Sequence, residues 1–164
     1  DKFLKDIEFH YTETLSTRND KNLQFKVIST IENCTSFSTD EIRLRQVLDN
    51  LIGNAIKFTH SGSVTLEINS QNEYVQFKVV DTGIGIPKEE QTQIFERFIQ
   101  AEHNHNVNYG GTGLGLAISK NLIDLLGGKL QVESEVGKGS TFYFNLPVNK
   151  RLGTLYHLFT ASSG

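Results

Sequence analysis

Six of the chain's 14 glycines lie in two short loops, and that clustering limits what the chain can become. Gly83 and Gly85 fall in Asp81-Thr-Gly-Ile-Gly-Ile-Pro87, and Gly110, Gly111, Gly113 and Gly115 fall in Tyr109-Gly-Gly-Thr-Gly-Leu-Gly-Leu116. Glycine is favoured where backbone bends tightly or comes close to a ligand. The first loop follows an alternating apolar run, Val75, Phe77 and Val79, and the second leads straight into the segment 114–126. One loop therefore leaves a strand and the other opens a helix. Each is a place where a ligand can meet exposed backbone.

Periodicity fills in the remainder. Phe3, Ile7, Tyr11 and Leu15 recur four apart, which predicts a helix over 3–17 with one apolar stripe. Residues 24–31 read as a strand with Phe25 and Val27 on one face. Thr39 or Asp40 can cap a helix running to about Phe58, with Leu44, Val47, Leu48, Leu51 and Ala55 as its core stripe. Val64, Leu66 and Ile68 alternate, as do Val75, Phe77 and Val79, so two strands flank a turn at 70–72. Pro87 suits a first helical turn and predicts a short helix over 88–98. The helix over 114–126 stops at Gly127-Gly128. Leu130 and Val132, then Phe142, Phe144 and Leu146, make a closing pair of strands around Gly137-Lys-Gly139. Helices mixed with antiparallel strands predict an α+β fold: a two-layer α/β sandwich with one mixed, largely antiparallel sheet covered on one face by helices.

Size and charge exclude several classes. At 164 residues the chain makes one domain with a core. A net charge of −3 argues against a nucleic-acid surface. No 18-residue apolar run exists for a membrane span, and the single Cys34 builds neither an internal disulfide nor a Cys-rich zinc site. A chain opening at Asp1 with no Met reads as a piece of a longer protein.

The helix over 40–58 carries a second stripe: Arg43, Gln46, Asn50, Asn54 and Lys57. Spacings of three and four put these on one face. Paired amide oxygens beside a lysine suit a hydrated magnesium ion with phosphates attached, while a pair of surface or packing amides fits the same spacing. Asp81 ends its strand at the lip of a glycine-rich turn, where a carboxylate can accept a hydrogen bond from a ligand's amino group. A plain turn has the same composition. The Asp-Thr-Gly tripeptide also occurs in aspartic proteases, but that chemistry needs two carboxylates sharing a proton, and Ile84 stands where a small residue should follow. The second loop opens a helix and so forms an anion site of the kind helix N-termini provide, or else a packing turn. It lacks the Lys-Ser/Thr of a phosphate-binding P-loop, and its third glycine comes one residue too early for a dinucleotide fingerprint.

The combination is more specific than its parts. Asn50-Leu-Ile-Gly-Asn54-Ala-Ile-Lys57-Phe58, Asp81-Thr-Gly-Ile-Gly85, Phe95-Glu-Arg-Phe98 and Gly111-Thr-Gly-Leu-Gly115 occur in that order. Together they resemble the catalytic, ATP-binding domain of sensor histidine kinases, a branch of the Bergerat-fold superfamily that includes gyrase-type ATPases and heat-shock chaperones. The resemblance covers about residues 23–148, and the wording around the motifs is similar to kinases fused to receiver domains. It implies that Asn50 and Asn54 hold Mg2+ and the phosphates, with Lys57 adding charge. Phe58 would lie beside the base or sugar. Asp81 would accept from the exocyclic amine of adenine, with Gly83, Gly85 and Ile86 shaping that wall and Thr141 backing up Asp81. Phe95 and Phe98 would anchor a lid over 97–109, and Gly111, Thr112, Gly113, Leu114 and Gly115 would close over the phosphates.

The resemblance also implies the organisation and partners: a helical segment over 1–20 leading from a dimerisation and phosphoacceptor hairpin, an ATP-binding domain over 21–149, and a linker or tail over 150–164. ATP and Mg2+ are the ligands it implies. The hairpin of the same protein and a response-regulator receiver domain are the partners, in a cytoplasmic setting with no membrane contact by this domain. Water-splitting relatives carry a Glu four residues before the magnesium Asn, as general base. Here that position is Asn50, which cannot take a proton, so phosphoryl transfer to another group is favoured over hydrolysis. The family's acceptor histidine sits in a box with an acidic residue and a proline, and no such box is present; His10 is followed by Tyr11-Thr12. His103 and His105 fall inside the expected lid. The rival reading is a nucleotide-binding regulatory module of the same superfamily, without histidine phosphotransfer.

Overall fold

The structure, a computed structural model, describes residues 2–17, 22–31, 38–70, 73–96 and 113–148. Three helices and five strands follow in the order α1 (Lys2–Thr17), β1 (Leu23–Ser29), α2 (Glu41–Phe58), β2 (Gly62–Ser70), β3 (Tyr74–Asp81), α3 (Gly115–Leu125), β4 (Gln131–Glu135) and β5 (Gly139–Pro147). The sheet order is β1-β2-β3-β5-β4. Only β1 and β2 run parallel, and α2 makes the crossover between them; the other pairs are antiparallel. The expected mixed, largely antiparallel sheet is therefore present.

Alternation along each strand decides which side faces the helices. Val64, Leu66 and Ile68 of β2, Val75, Phe77 and Val79 of β3, and Phe142, Phe144 and Leu146 of β5 are all buried. Their sequence neighbours are half-exposed on the other face, which stays polar. Phe77 and Phe144, opposite each other in the β3–β5 register, stack with ring centroids 5.1 Å apart. Against this face lies the apolar stripe of α2, in which Val47, Leu48, Leu51 and Ile52 are wholly buried. Leu48→Ala would empty the middle of the layer. A loss of about 2–5 kcal/mol is expected for a buried Leu→Ala change, measured by urea denaturation.

Two expectations change on contact with the fold. Of the helix expected over 88–98, the described residues 88–96 form none: turns closed by Pro87 and Glu90 carbonyls lead into one 3-10 turn, Gln93–Phe95. Gln91 explains this, because its Nε2 donates to Ile86 O and to Ser134 O, 43 residues away. Ile94 is buried and Phe95 meets Phe142 edge-on, at 6.4 Å, so two adjacent residues are anchored rather than a helical stripe. The boundary expected near residue 20 is no boundary in packing. Ile7, Tyr11 and Leu15 of α1 share one core with β1 and α2. Among the described residues no helix is long and apolar enough to cross a membrane.

Candidate functional site

The site is built along α2. Asp40 caps it, its Oδ1 accepting from Arg43 N at 3.0 Å and so satisfying one of the free N–H groups of the first turn. On the side toward α1, Tyr11 donates its hydroxyl to Asp49 Oδ1 at 2.9 Å, and Arg45 Nε donates to both oxygens of the same carboxylate. Burial is the largest reason why the Tyr11 hydroxyl holds its proton above the usual phenol range, with the Asp49 carboxylate adding to it. This pairing fits the rotation that the buried stripe of α2 imposes. That rotation turns Asp49 to α1 and the next residue, Asn50, toward α3.

Asn50 Nδ2 donates to Ser119 Oγ at 2.8 Å. A Cβ on Gly115 would overlap Asn50 Oδ1, so only glycine lets the start of α3 come this close. Among the described residues no side chain caps α3, whose first turn follows Gly113 at φ +67° and Leu114. Its leading N–H groups are available to an anion, aided by the helix dipole. Asn54, half-buried, lies one turn further along α2. Lys57 and Phe58 finish the helix, with Lys57 Nζ 5.0 Å from the Phe58 ring centroid.

The far end of α2 meets the first glycine loop. Ile84 N donates to Phe58 O at 3.2 Å, and Gly83 lies against Phe58 O, where a Cβ would collide. The Asp81 loop is thereby brought against the end of α2 at Phe58 and Thr59, although more than twenty residues separate them in sequence. Asp81 Oδ1 accepts from Gly83 N at 2.8 Å and from Ser140 N at 3.2 Å; among the described residues no group is bonded to Oδ2. Burial pushes the carboxyl above the usual range, and the two backbone N–H groups partly oppose that shift. A buried carboxylate with one free oxygen is an acceptor for a ligand donor.

The β4–β5 hairpin holds this loop from the outside. Ser134 Oγ accepts from Ile86 N at 2.8 Å, and Gly137 N donates to Ile84 O at 2.8 Å. Gly85, at φ +73°, packs directly on Glu135 O, and Gly139, at φ +111°, packs on Asp81 O. From this hairpin the resemblance implies a part for Thr141 alone, and not for Ser134, Gly137 or Gly139. Their only signal was the pair of glycines at the turn.

Thr141 needs correction. The register sets it opposite Val80 and Glu133 on the polar face of the sheet, away from the helices, whereas Ser140 is opposite Asp81 and buried. The residue backing Asp81 is therefore Ser140. Period-2 alternation back from Phe142 would have found it. Phe98, Gly111, Thr112, the lid over 97–109 with His103 and His105, and the segment 150–164 lie outside the described residues.

The parts form one strip. α2 runs from the start of α3 at Asn50 to the Asp81 loop at Phe58, and Asn50 to Lys57 spans about 10 Å at the helical rise of about 1.5 Å per residue. One end offers N–H groups and amides to an anion, and the other offers a carboxylate oxygen to a donor. Among the described residues no three His, Cys, Asp or Glu side chains gather to hold a metal. The donor set is neutral amides and a lysine. It fits a magnesium ion that arrives with phosphates and keeps water, not one held by protein alone.

A family model described as "Histidine kinase-, DNA gyrase B-, and HSP90-like ATPase" matches residues 39–150. The chain is 38% identical over 161 residues to the autoinducer 2 sensor kinase/phosphatase LuxQ of Vibrio vulnificus (strain YJ016), covering 90% of this chain and 19% of that protein. The chain thus spans about a fifth of the length of such curated relatives. Full-length ShkA, solved in complex with AMPPNP, superposes with a TM-score of 0.74 at 34% identity, over 89% of this chain and 29% of that one. The catalytic domain of histidine kinase ThkA gives a TM-score of 0.74 at 28% identity, over 90% of this chain and 92% of that one.

Proposed function

The chain belongs to the histidine kinase-, DNA gyrase B- and HSP90-like ATPase family, and on that premise we propose that it is the ATP-binding catalytic domain of a two-component sensor histidine kinase. It passes the γ-phosphate of ATP to a histidine on a separate helical hairpin. The observation that carries this reading is the α2 strip, with an anion-binding helix start at one end and the half-satisfied Asp81 carboxylate at the other. Adenine donates its exocyclic amine to Asp81 Oδ2, while the phosphates lie toward Asn50, Asn54 and the α3 N-terminus. Asn50 and Asn54 are the residues that would hold magnesium, which when bound neutralises the charge of the phosphates. Lys57 adds positive charge to the same anion.

The transfer forms a bond between the acceptor imidazole nitrogen and the γ-phosphorus and breaks the bond to the β-phosphate oxygen, which leaves on ADP. Neither of the two amides assigned to the phosphates can take a proton. Asn50 is a neutral amide bound to Ser119, so water is not activated there. That supports transfer over hydrolysis. The hairpin of the same protein and a receiver domain downstream are the partners in this reading, in a cytoplasmic setting.

Adding a hairpin with the acceptor histidine in trans tests it: acid-labile label from γ-labelled ATP is expected on the hairpin. ATP binding with no transfer to any cognate hairpin would instead make the chain a nucleotide-holding regulatory module. Asn54→Ala is expected to remove the magnesium-dependent part of ATP binding. Calorimetric titrations with and without EDTA would then converge for the variant and remain apart for the wild type, and equal EDTA effects on both would sink the metal assignment.

A further inference from the structure

Thr59 closes α2 in an extended conformation and is 3% exposed. Its Oγ1 is fully buried and has no hydrogen-bond partner among the described residues. Buried hydroxyls in folded proteins are nearly always paired, and a valine of the same shape would fill this space without leaving an orphan. The hydroxyl is also not placed at random. A Cβ on Gly83 would stand 2.8 Å from Thr59 Oγ1 and 2.9 Å from Asp81 Oδ1, so hydroxyl and carboxylate flank the same glycine. Oxygens 2.8 and 2.9 Å from one point are near enough for a single water to join them through two hydrogen bonds of about 2.8 Å meeting at a bent angle.

Asp81 Oδ1 is already anchored by Gly83 N and Ser140 N. What those two bonds leave open is the swing of Oδ2 about the anchored oxygen. We propose that Thr59 is a positioning residue for Asp81: with nucleotide seated, its hydroxyl donates through one ordered water to the carboxylate and holds Oδ2 toward the exocyclic amine of the base. The inference deepens the reading of the chain as an adenine-nucleotide domain and rests on it. It assigns the unpaired hydroxyl to the liganded state, so the free protein bears its cost. Stability and binding should therefore respond to its removal with opposite signs.

Thr59→Val and Thr59→Ser, with wild type, would be compared by melting of the free protein and by calorimetric titration with magnesium and either ATP or purine riboside triphosphate, which lacks the amine. Thr59→Val is expected to melt at or above wild type yet to bind ATP about five- to tenfold more weakly, the scale of one lost hydrogen bond. Thr59→Ser should keep wild-type ATP affinity. Purine riboside triphosphate should bind Thr59→Val and wild type alike, because the carboxylate that Thr59 orients has no amine to meet. Unchanged ATP affinity in Thr59→Val, or equal losses for both nucleotides, would overturn the assignment. A wild type that shows no preference for ATP over the analogue would remove the adenine reading itself, and the role of Thr59 with it.

Discussion

Asp81→Asn is expected to weaken ATP binding roughly ten- to hundred-fold, because a hydrogen bond to a charged group contributes about 1.5–3 kcal/mol. The amide keeps the shape of the carboxylate and can still accept from Gly83 N and Ser140 N through its oxygen. What then faces the ligand is an NH2 group, a donor against a donor. The fold should survive, so circular dichroism should be unchanged while titration shows the loss. Equal affinities would place the base elsewhere.

The same residue gives a pH dependence with a definite sign. Burial raises the Asp81 carboxyl above its ordinary value of 3.8, so the free folded protein binds its proton more tightly than the unfolded chain does. Ionising Asp81 therefore costs stability as pH rises from that ordinary value through the raised one, and below both values the cost is gone. Wild type should lose stability relative to Asp81→Asn across that window. ATP affinity should move the other way, rising with pH as the carboxylate becomes an acceptor, and Asp81→Asn should lack this rise. Melting curves and titrations over one pH series read both slopes.

Gly139→Ala is expected to be, with Gly85→Ala, among the most damaging small substitutions in the described residues near the site. The Gly139 φ of +111° is outside the range L residues favour, and a Cβ there would collide with Asp81 O and lie 2.8 Å from Asp81 C and 2.9 Å from Thr82 Cα. Backbone cannot yield as a side-chain tip can. Strain of about 1–3 kcal/mol combines with an overpacking cost of similar size, for a total of about 2–6 kcal/mol. ATP binding should fall as well, since Gly139 precedes Ser140, whose N–H holds Asp81 Oδ1. Gly137→Ala is the control. Gly137 also has positive φ, at +79°, but nothing lies within 4 Å of an added Cβ. It should cost only the left-handed strain, about 1–2 kcal/mol. At about 2–4 °C per kcal/mol for a chain of this size, a thermal melt separates the two.

Much of the site's frame is legible from local pattern. The α2 stripe of Leu44, Val47, Leu48, Leu51 and Ala55 is buried as its spacing requires, and Asp40 caps the helix. Asn50 then lies to the side of that stripe as a consequence of 3.6 residues per turn. Strand alternation assigned the inner faces of β2, β3 and β5. The same alternation, carried one step further, separates Ser140 from Thr141. A motif matched by position points to Thr141, whereas the parity of the strand points to Ser140.

Sequence alone therefore determined the long helices and strands, their buried sides and the two places where glycine lets backbone come close, because each follows from spacing within one segment. Tertiary structure decided what those segments do to each other. Gln91 gives up a helix for carbonyls at Ile86 and Ser134, α1 joins the core through Tyr11 and Asp49, and β4–β5 holds the Asp81 loop through Ser134 and Gly139. The unpaired hydroxyl of Thr59 belongs to the same class. Each depends on partners many residues away, and a hydrogen bond or a close approach across the fold leaves no period in the chain.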